Sequence, residues 1–275
     1  MKLYTYRFFL NRTSQQSLFP EVKTKPELIK EVLSDKYQFS HGKSELGYVV
    51  EKTVGNYIYA KMGKRSSLNL SQSPEQGFQD KKIEHWPNCS IFINLDDDPS
   101  TGQKIFFEYN RSIFETPLIQ LQKLSEEING ALLTSGYVMT VSPVTDQQDF
   151  WKVVNENSGD IKELTMNFVA PNLFNLKNKL EDDLREVHQE YGATHASLSL
   201  KNEQTSLSLD PDSPLIKQGL EYITKGGGQY KLRIKNTIYS SEDKVRSVIE
   251  ASLNPDELDD GQLKLILDKL FGRDV

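Results

Sequence analysis

Apolar residues along this chain recur at two spacings, every second position and every third or fourth, and the switches between them divide it into strands and helices. The clearest succession lies between residues 161 and 238. "IKELTMNFVAP" alternates as a strand, and Pro171 follows at a first helical turn, where its missing N–H costs nothing. Leu173, Leu176, Leu180, Leu184, Val187 and Tyr191 then repeat at helical spacing until Gly192 supplies a stop. "ATHASLSLK" and "TSLSLD" alternate around "NEQ", which predicts a hairpin. "DSPLIKQGLEYITK" predicts a second helix with Ser213 at its cap and Pro214 in its first turn, and "GGQYKLRIKNTIY" predicts a closing strand. The order β-α-β-β-α-β is that of the split-βαβ, or ferredoxin-like, plan.

Residues 1–158 are mixed in the same way. "KLYTYRFFL" predicts a strand, Pro26 opens a short helix "ELIKEVLSDKY", and "LGYVVEK" and "NYIYAKM" predict a hairpin around Thr53 to Gly55. "SIFINL" and "KIFFEYN" predict another, followed by the helix "PLIQLQKLSEEINGALLTSG" and the strand "YVMTVSP". "GKRSSLNLSQSPEQGFQDKK" is rich in Ser, Gln and Lys and reads as an exposed, mobile loop over 64–82. "DQQDFWKVVNENSG" predicts a helix joining the halves. The expectation is an α+β chain of three parts: a mixed domain over 1–158, a ferredoxin-like domain over 159–240 and an acidic helical tail over 241–275. In the tail an Asn254 cap and an acidic first turn precede an apolar stripe of Leu263, Ile266, Leu267, Leu270 and Phe271. Such a stripe docks either on its own domain or on a partner or second copy.

Composition narrows the function classes. With 37% hydrophobic and 26% charged residues, 275 residues have ample material for a core. No run approaches the roughly 20 apolar residues of a membrane helix, and the first residues lack a signal-peptide pattern, so a cytoplasmic protein without membrane insertion is expected. Cys89 is the single cysteine, which excludes an internal disulfide or a multi-cysteine zinc site, and its strand context predicts a buried thiol. The net charge of −6 argues against nonspecific nucleic-acid binding by the whole molecule. Nine acidic against five basic residues between 240 and 275 account for four of those charges, leaving a nearly neutral body with room for a basic face.

The stretch "KGGGQYKLRIKN" is where that face is expected. Gly226 to Gly228 run from helix into strand, whereas a phosphate-cradling P-loop runs from strand into helix, so they read as a helix end plus a turn. Period two puts Lys231, Arg233 and Lys235 on one side of the strand, backed by Lys225, where they either track a phosphate backbone or protect an edge from aggregation. Lys61, Lys64 and Arg65, with Lys81 and Lys82, make a second basic patch. Other chemistry has little to stand on. Asp96, Asp97 and Asp98 lie in a turn without calcium-loop spacing, although Glu108 is near enough in the predicted hairpin for a metal-dependent nuclease to be weighed. His41, His85, His188 and His195 have no metal-ligand spacing, no nucleophile motif occurs, and Phe168 is the only aromatic where an RNA-recognition sheet stacks bases. No catalytic residue, metal or cofactor is expected.

In the order and character of its elements the chain resembles the phage-exclusion proteins of the RexA type and similar small prokaryotic defence proteins. The resemblance covers most of residues 28 to 225. It is carried by "EVLSDKYQF", "GYVVEKTVGNYIYAKMGK", "WPNCSIFINL" with "IFFEYN", "GYVMTVSPV" with "DIKELTMNF", and "YGATHASLSL". It implies a homodimeric double-stranded-DNA-binding sensor that works with a separate effector and has no intrinsic catalysis. Three readings follow: a DNA-backbone binder in phage defence, a protein-interaction subunit docking by its C-terminal helix, and, last, a metal-dependent nuclease using Asp96, Asp98 and Glu108.

Overall fold

The first strand explains most of the architecture. In the computed structural model, which describes residues 1–12, 23–96, 103–169, 179–249 and 254–272, β1 (Lys2–Arg12) turns Tyr6, Phe8 and Leu10 to one side and Leu3, Thr5, Arg7 and Phe9 to the other. Those side chains reach three separate apolar cores. After α1 (Lys25–Ser34) come β2 (Tyr37–His41), β3 (Ser44–Val54), β4 (Tyr57–Lys64), β5 (Ser66–Ser71), β6 (Asp80–His85), β7 (Asn88–Asn94) and β8 (Lys104–Glu108). Next are α2 (Pro117–Leu132), β9 (Tyr137–Pro143), α3 (Gln147–Glu156), β10 (Ile161–Val169), α4 (Lys179–Tyr191) and β11 (His195–Lys201). The chain ends with α5 (Pro214–Tyr222), β12 (Gly228–Ile234), β13 (Thr237–Ser240), β14 (Ser247–Ile249) and α6 (Asp260–Phe271).

The large sheet runs β14-β1-β8-β7-β4-β3-β2, every pair antiparallel. One edge of β1 is shared end to end: β14 takes residues 2 to 4 and β9 takes residues 6 to 12. Both faces of this sheet are covered. Helices α1 and α2 lie over Ile58, Ala60, Ile91, Ile93 and Phe107, and α6 lies over Leu3, Tyr59, Phe92 and Phe106. The unbroken apolar runs of β7 and β8 suit strands buried on both sides. The 241–275 segment is therefore built into the N-terminal body through β14 and α6. Helix α6 starts one turn later than an Asn254 cap predicts, because Asp259 and Gln262 form a reciprocal capping box.

A second sheet, β11-β10-β12-β13, is also antiparallel throughout. Here the ferredoxin-like plan is not what the sheet shows. In a split βαβ the strands flanking a helix are separated by a third, whereas β10 and β11, on either side of α4, are direct neighbours. The expected strand "TSLSLD" is irregular. Asn202 draws the chain into a turn, its Oδ1 accepting from the amides of Gln204 and Thr205 and its Nδ2 donating to Thr205 Oγ1. Both edges of β10 are already taken, so Leu207 and Leu209 pack as loop residues beneath the core. The Pro171 helix start, with Leu173 and Leu176, lies outside the described residues.

The glycine run joins the two sheets. Gly226 has φ +88°, and a Cβ there would lie 2.8 Å from Cβ of Arg7 in β1. Gly228 has φ +154°, and its Cβ would fall 2.0 Å from the Asn167 carbonyl oxygen. At Gly226 the Arg7 side chain of the large sheet, and at Gly228 the β10 backbone of the second sheet, come too close for any residue but glycine. The run is thus a helix end and turn, as its place in the sequence predicts. The 64–82 stretch, expected as a loop, is a two-stranded ribbon of β5 and β6. Its alternating Leu68, Leu70 and Ile83 were masked by the serines and lysines between them. No helix among the described residues is long and apolar enough to cross a membrane.

Candidate nucleic-acid interface

Helices α4 and α5 cover one face of the second sheet with Leu184, Ile216 and Leu220 against Leu164, Met166 and Leu232. The opposite face is polar apart from Ile238, which lies exposed opposite Arg233 at the β13 edge. Because β10, β11 and β12 are in fixed register, Thr165 lies between Ser199 and Lys231, Asn167 between Ser197 and Gln229, and Glu163 between Lys201 and Arg233. Every one of these side chains is exposed or half-buried.

Glu163 organises the face. Its Oε1 lies 3.1 Å from Lys201 Nζ, its Oε2 accepts from Arg233 Nε at 3.1 Å, and Ser199 Oγ donates to it at 3.3 Å. The hydrogen bond from Lys201 above all, and then the charges of Lys201 and Arg233, hold its carboxyl below the usual carboxylate range. Ser197 Oγ donates to Asn167 Oδ1 at 2.7 Å. Lys231 is exposed between Thr165 and Ser240 and has no ion-pair partner among the described residues. Three cations therefore gather about Glu163, and the Gln229 amide beside them donates to a second carboxylate, Glu242 Oε1, at 2.7 Å. Hydroxyls, amides and cations on a sheet face that no described element covers are the donor set that phosphate oxygens accept from.

Other expected cations are placed differently. Lys235 does not continue the row of Lys231 and Arg233. The strand turns at Lys235 and Asn236 into β13, Lys235 adopts φ +51°, its amide bonds to the Asp160 carbonyl, and its Nζ pairs with Asp160 Oδ2 at 2.8 Å. Two turn-forming residues in "RIKNTI" outweigh the period-two extension. Lys225, at the end of α5, pairs with Glu221 at 3.1 Å. In the second patch Lys61 pairs with Asp256 at 2.8 Å over the ring of Tyr59, and Arg65 bridges Glu45 and Glu84, each at 2.7 Å. Lys64 lines a separate cleft of about 240 Å³ with His41 and Phe114. Lys61 and Lys64 belong to the large sheet and Arg65 to its link to β5, and Lys61 and Arg65 are neutralised by their acidic neighbours.

The tail stripe is occupied within the chain. Leu263, Leu267, Leu270 and Phe271 are at most 1% exposed against Tyr59, Phe92 and Phe106, and Ile266 is half-buried beside them. Of the two dispositions a terminal amphipathic helix allows, the structure shows docking on its own sheet. Cys89 is buried, and burial first, then the Glu108 charge, pushes its thiol up to about 12. Glu108 accepts from the Ser90 amide and Asp96 from Asn56, while Asp97 and Asp98 lie outside the described residues. Among the described residues no three His, Cys, Asp or Glu side chains assemble as metal ligands.

Sequence reasoning missed Glu163, Lys201 and the hydroxyl row. Alternation made their strands legible, but which polar residues meet across strands depends on register. No protein-family model, curated protein or solved structure matches the chain. Its class rests on fold and surface: a mixed α+β chain with one open, cation-bearing sheet face.

Proposed function

We propose that this chain is a binding protein rather than an enzyme, and that it holds the phosphate backbone of double-stranded DNA on the open face of its four-stranded sheet. Lys231, Arg233 and Lys201 supply the charge, and Ser197, Ser199, Thr165 and Gln229 supply neutral contacts. The observation that carries this reading is the face, uncovered among the described residues, on which Lys201, Arg233 and Lys231 gather about Glu163. Contacts of this kind position a backbone without reading its sequence, so binding is salt-sensitive and weakly specific. The resemblance to phage-exclusion proteins supports a defence role beside a separate effector.

The test is fluorescence anisotropy of the full chain with a labelled DNA duplex, a single strand and an RNA over a salt series. Three neutralised phosphates give a log–log slope of about −2.7 on duplex DNA. Lys231→Glu combined with Lys201→Gln reduces duplex affinity at least about tenfold by removing two of the three charges. A flat salt response, or unchanged affinity in the double variant with the fold intact, removes the assignment. Equal or tighter binding of single strands or RNA moves the substrate class.

A further inference from the structure

The β5–β6 ribbon projects beyond the last β3–β4 pair, Leu46 with Lys64, and both its outer edges are unpaired among the described residues. An isolated two-stranded ribbon is marginal in water and requires further strands or a packed face. Leu68 and Leu70 share one face with Ile83, and they are 49%, 50% and 39% exposed. The two edges differ in character. Strand β6, "DKKIEH", carries four charged residues, the usual protection of an edge, whereas β5, "SSLNLS", carries no charge, proline or bulge.

Residues 67 to 71 of that bare edge read Ser-Leu-Asn-Leu-Ser, the same in both directions. An antiparallel partner meets the chain running backwards, so this strand is complementary to itself about a two-fold axis at Asn69. We infer that β5 pairs with β5 of a second copy of this chain, making a four-stranded β6-β5-β5-β6 sheet across the dimer. In that register Leu68 faces the partner's Leu70, Ser67 faces Ser71, and Asn69 faces its own copy. The four leucines form one apolar row on one face, flanked in each copy by Ile83 beside Leu68 and Lys81 beside Leu70. The polar face keeps its contacts, among them Ser71 Oγ to Asp80 Oδ1 at 2.8 Å. This pairing is independent of the DNA reading, since it uses no residue of the second sheet.

Asn69 supplies the test. Within one chain it lies opposite Lys82, so Asn69→Glu adds a favourable cross-strand pair to the ribbon while setting two carboxylates against each other at the axis. Sedimentation velocity of the full chain from about 1 to 100 µM, the range in which small interfaces dissociate, shows a dimer for the natural sequence. Asn69→Glu weakens it at least about tenfold, with circular dichroism unchanged. In a second variant, Asn69→Cys, the two thiols lie at about the 4.5 to 5.5 Å Cα separation of paired strands, within disulfide reach, and mild oxidation gives a covalent dimer. Glu84→Cys, on the charged strand, gives none. A natural chain that stays monomeric at the highest concentration, or an Asn69→Glu chain that dimerises as well as the natural one, overturns the proposal.

Discussion

The two sheets of this molecule follow the same period-two rule and end in opposite surroundings. In the large sheet β7 and β8 are apolar at both parities, and helices close over both faces. In the small sheet β10 and β12 are apolar at one parity only, and helices close over one face while the other keeps Glu163, Thr165, Lys231 and Arg233 in water. What covers a strand is thus written in its second parity: apolar residues there require a lid, and polar residues exclude one. The first sheet is scaffold, and the second offers a surface.

That contrast is open to direct attack. Phe106 is fully buried in the large sheet, its ring 4.8 Å from Phe271 of α6. Phe106→Ala is expected to cost about 3–5 kcal/mol, whereas Thr165→Ala on the open face stays within about 0.5 kcal/mol, both read by chemical denaturation. Similar losses at both sites would erase the distinction between covered and open faces. The glycine run comes next. Gly228→Ala places a methyl 2.0 Å from the Asn167 carbonyl oxygen at a positive φ, and a loss above about 1 kcal/mol in the same assay is expected.

The smallest effect concerns how α6 is moored. Asp256 accepts from Lys61 at 2.8 Å and from the Tyr59 hydroxyl at 2.9 Å, and the Lys61 hydrogen bond above all lowers its carboxyl pKa. Because that pKa is lowered in the folded chain, the pair stabilises above the ordinary carboxylate value, and the contribution is lost as pH falls through the folded one. Both groups face water, so Asp256→Asn is expected to cost about 0.2–1 kcal/mol at neutral pH and nothing further in acid. An equal deficit at both ends of a pH-dependent melting series would show that the carboxylate charge is not what holds the segment.

Much of the fold was legible because hydrophobic period is a local property. Strands β1, β3, β4, β7, β8, β9 and β10 and helices α1, α2, α3 and α5 all fall where the spacing of apolar residues predicts them. Short strands escaped for a physical reason. β5 and β6 bury little, so serine and lysine hide their alternation, and the three residues of β14 are strand only because β1 has an edge to offer. The candidate site was half legible: Lys231 and Arg233 share a face as expected, but Lys235 leaves the row at a turn, and Glu163 and Lys201 enter it from other strands.

The sequence by itself determined an α+β chain, the outward row on β12, the buried thiol and a glycine run that is no phosphate loop, because each depends on contacts within a few residues. Only the tertiary structure decided that β10 separates β11 from β12, that α6 closes its own sheet, and that Arg65 and Lys61 are matched by Glu45, Glu84 and Asp256. Those outcomes depend on which distant segments compete for the same strand edge or the same apolar face, and that competition is settled by the folded whole.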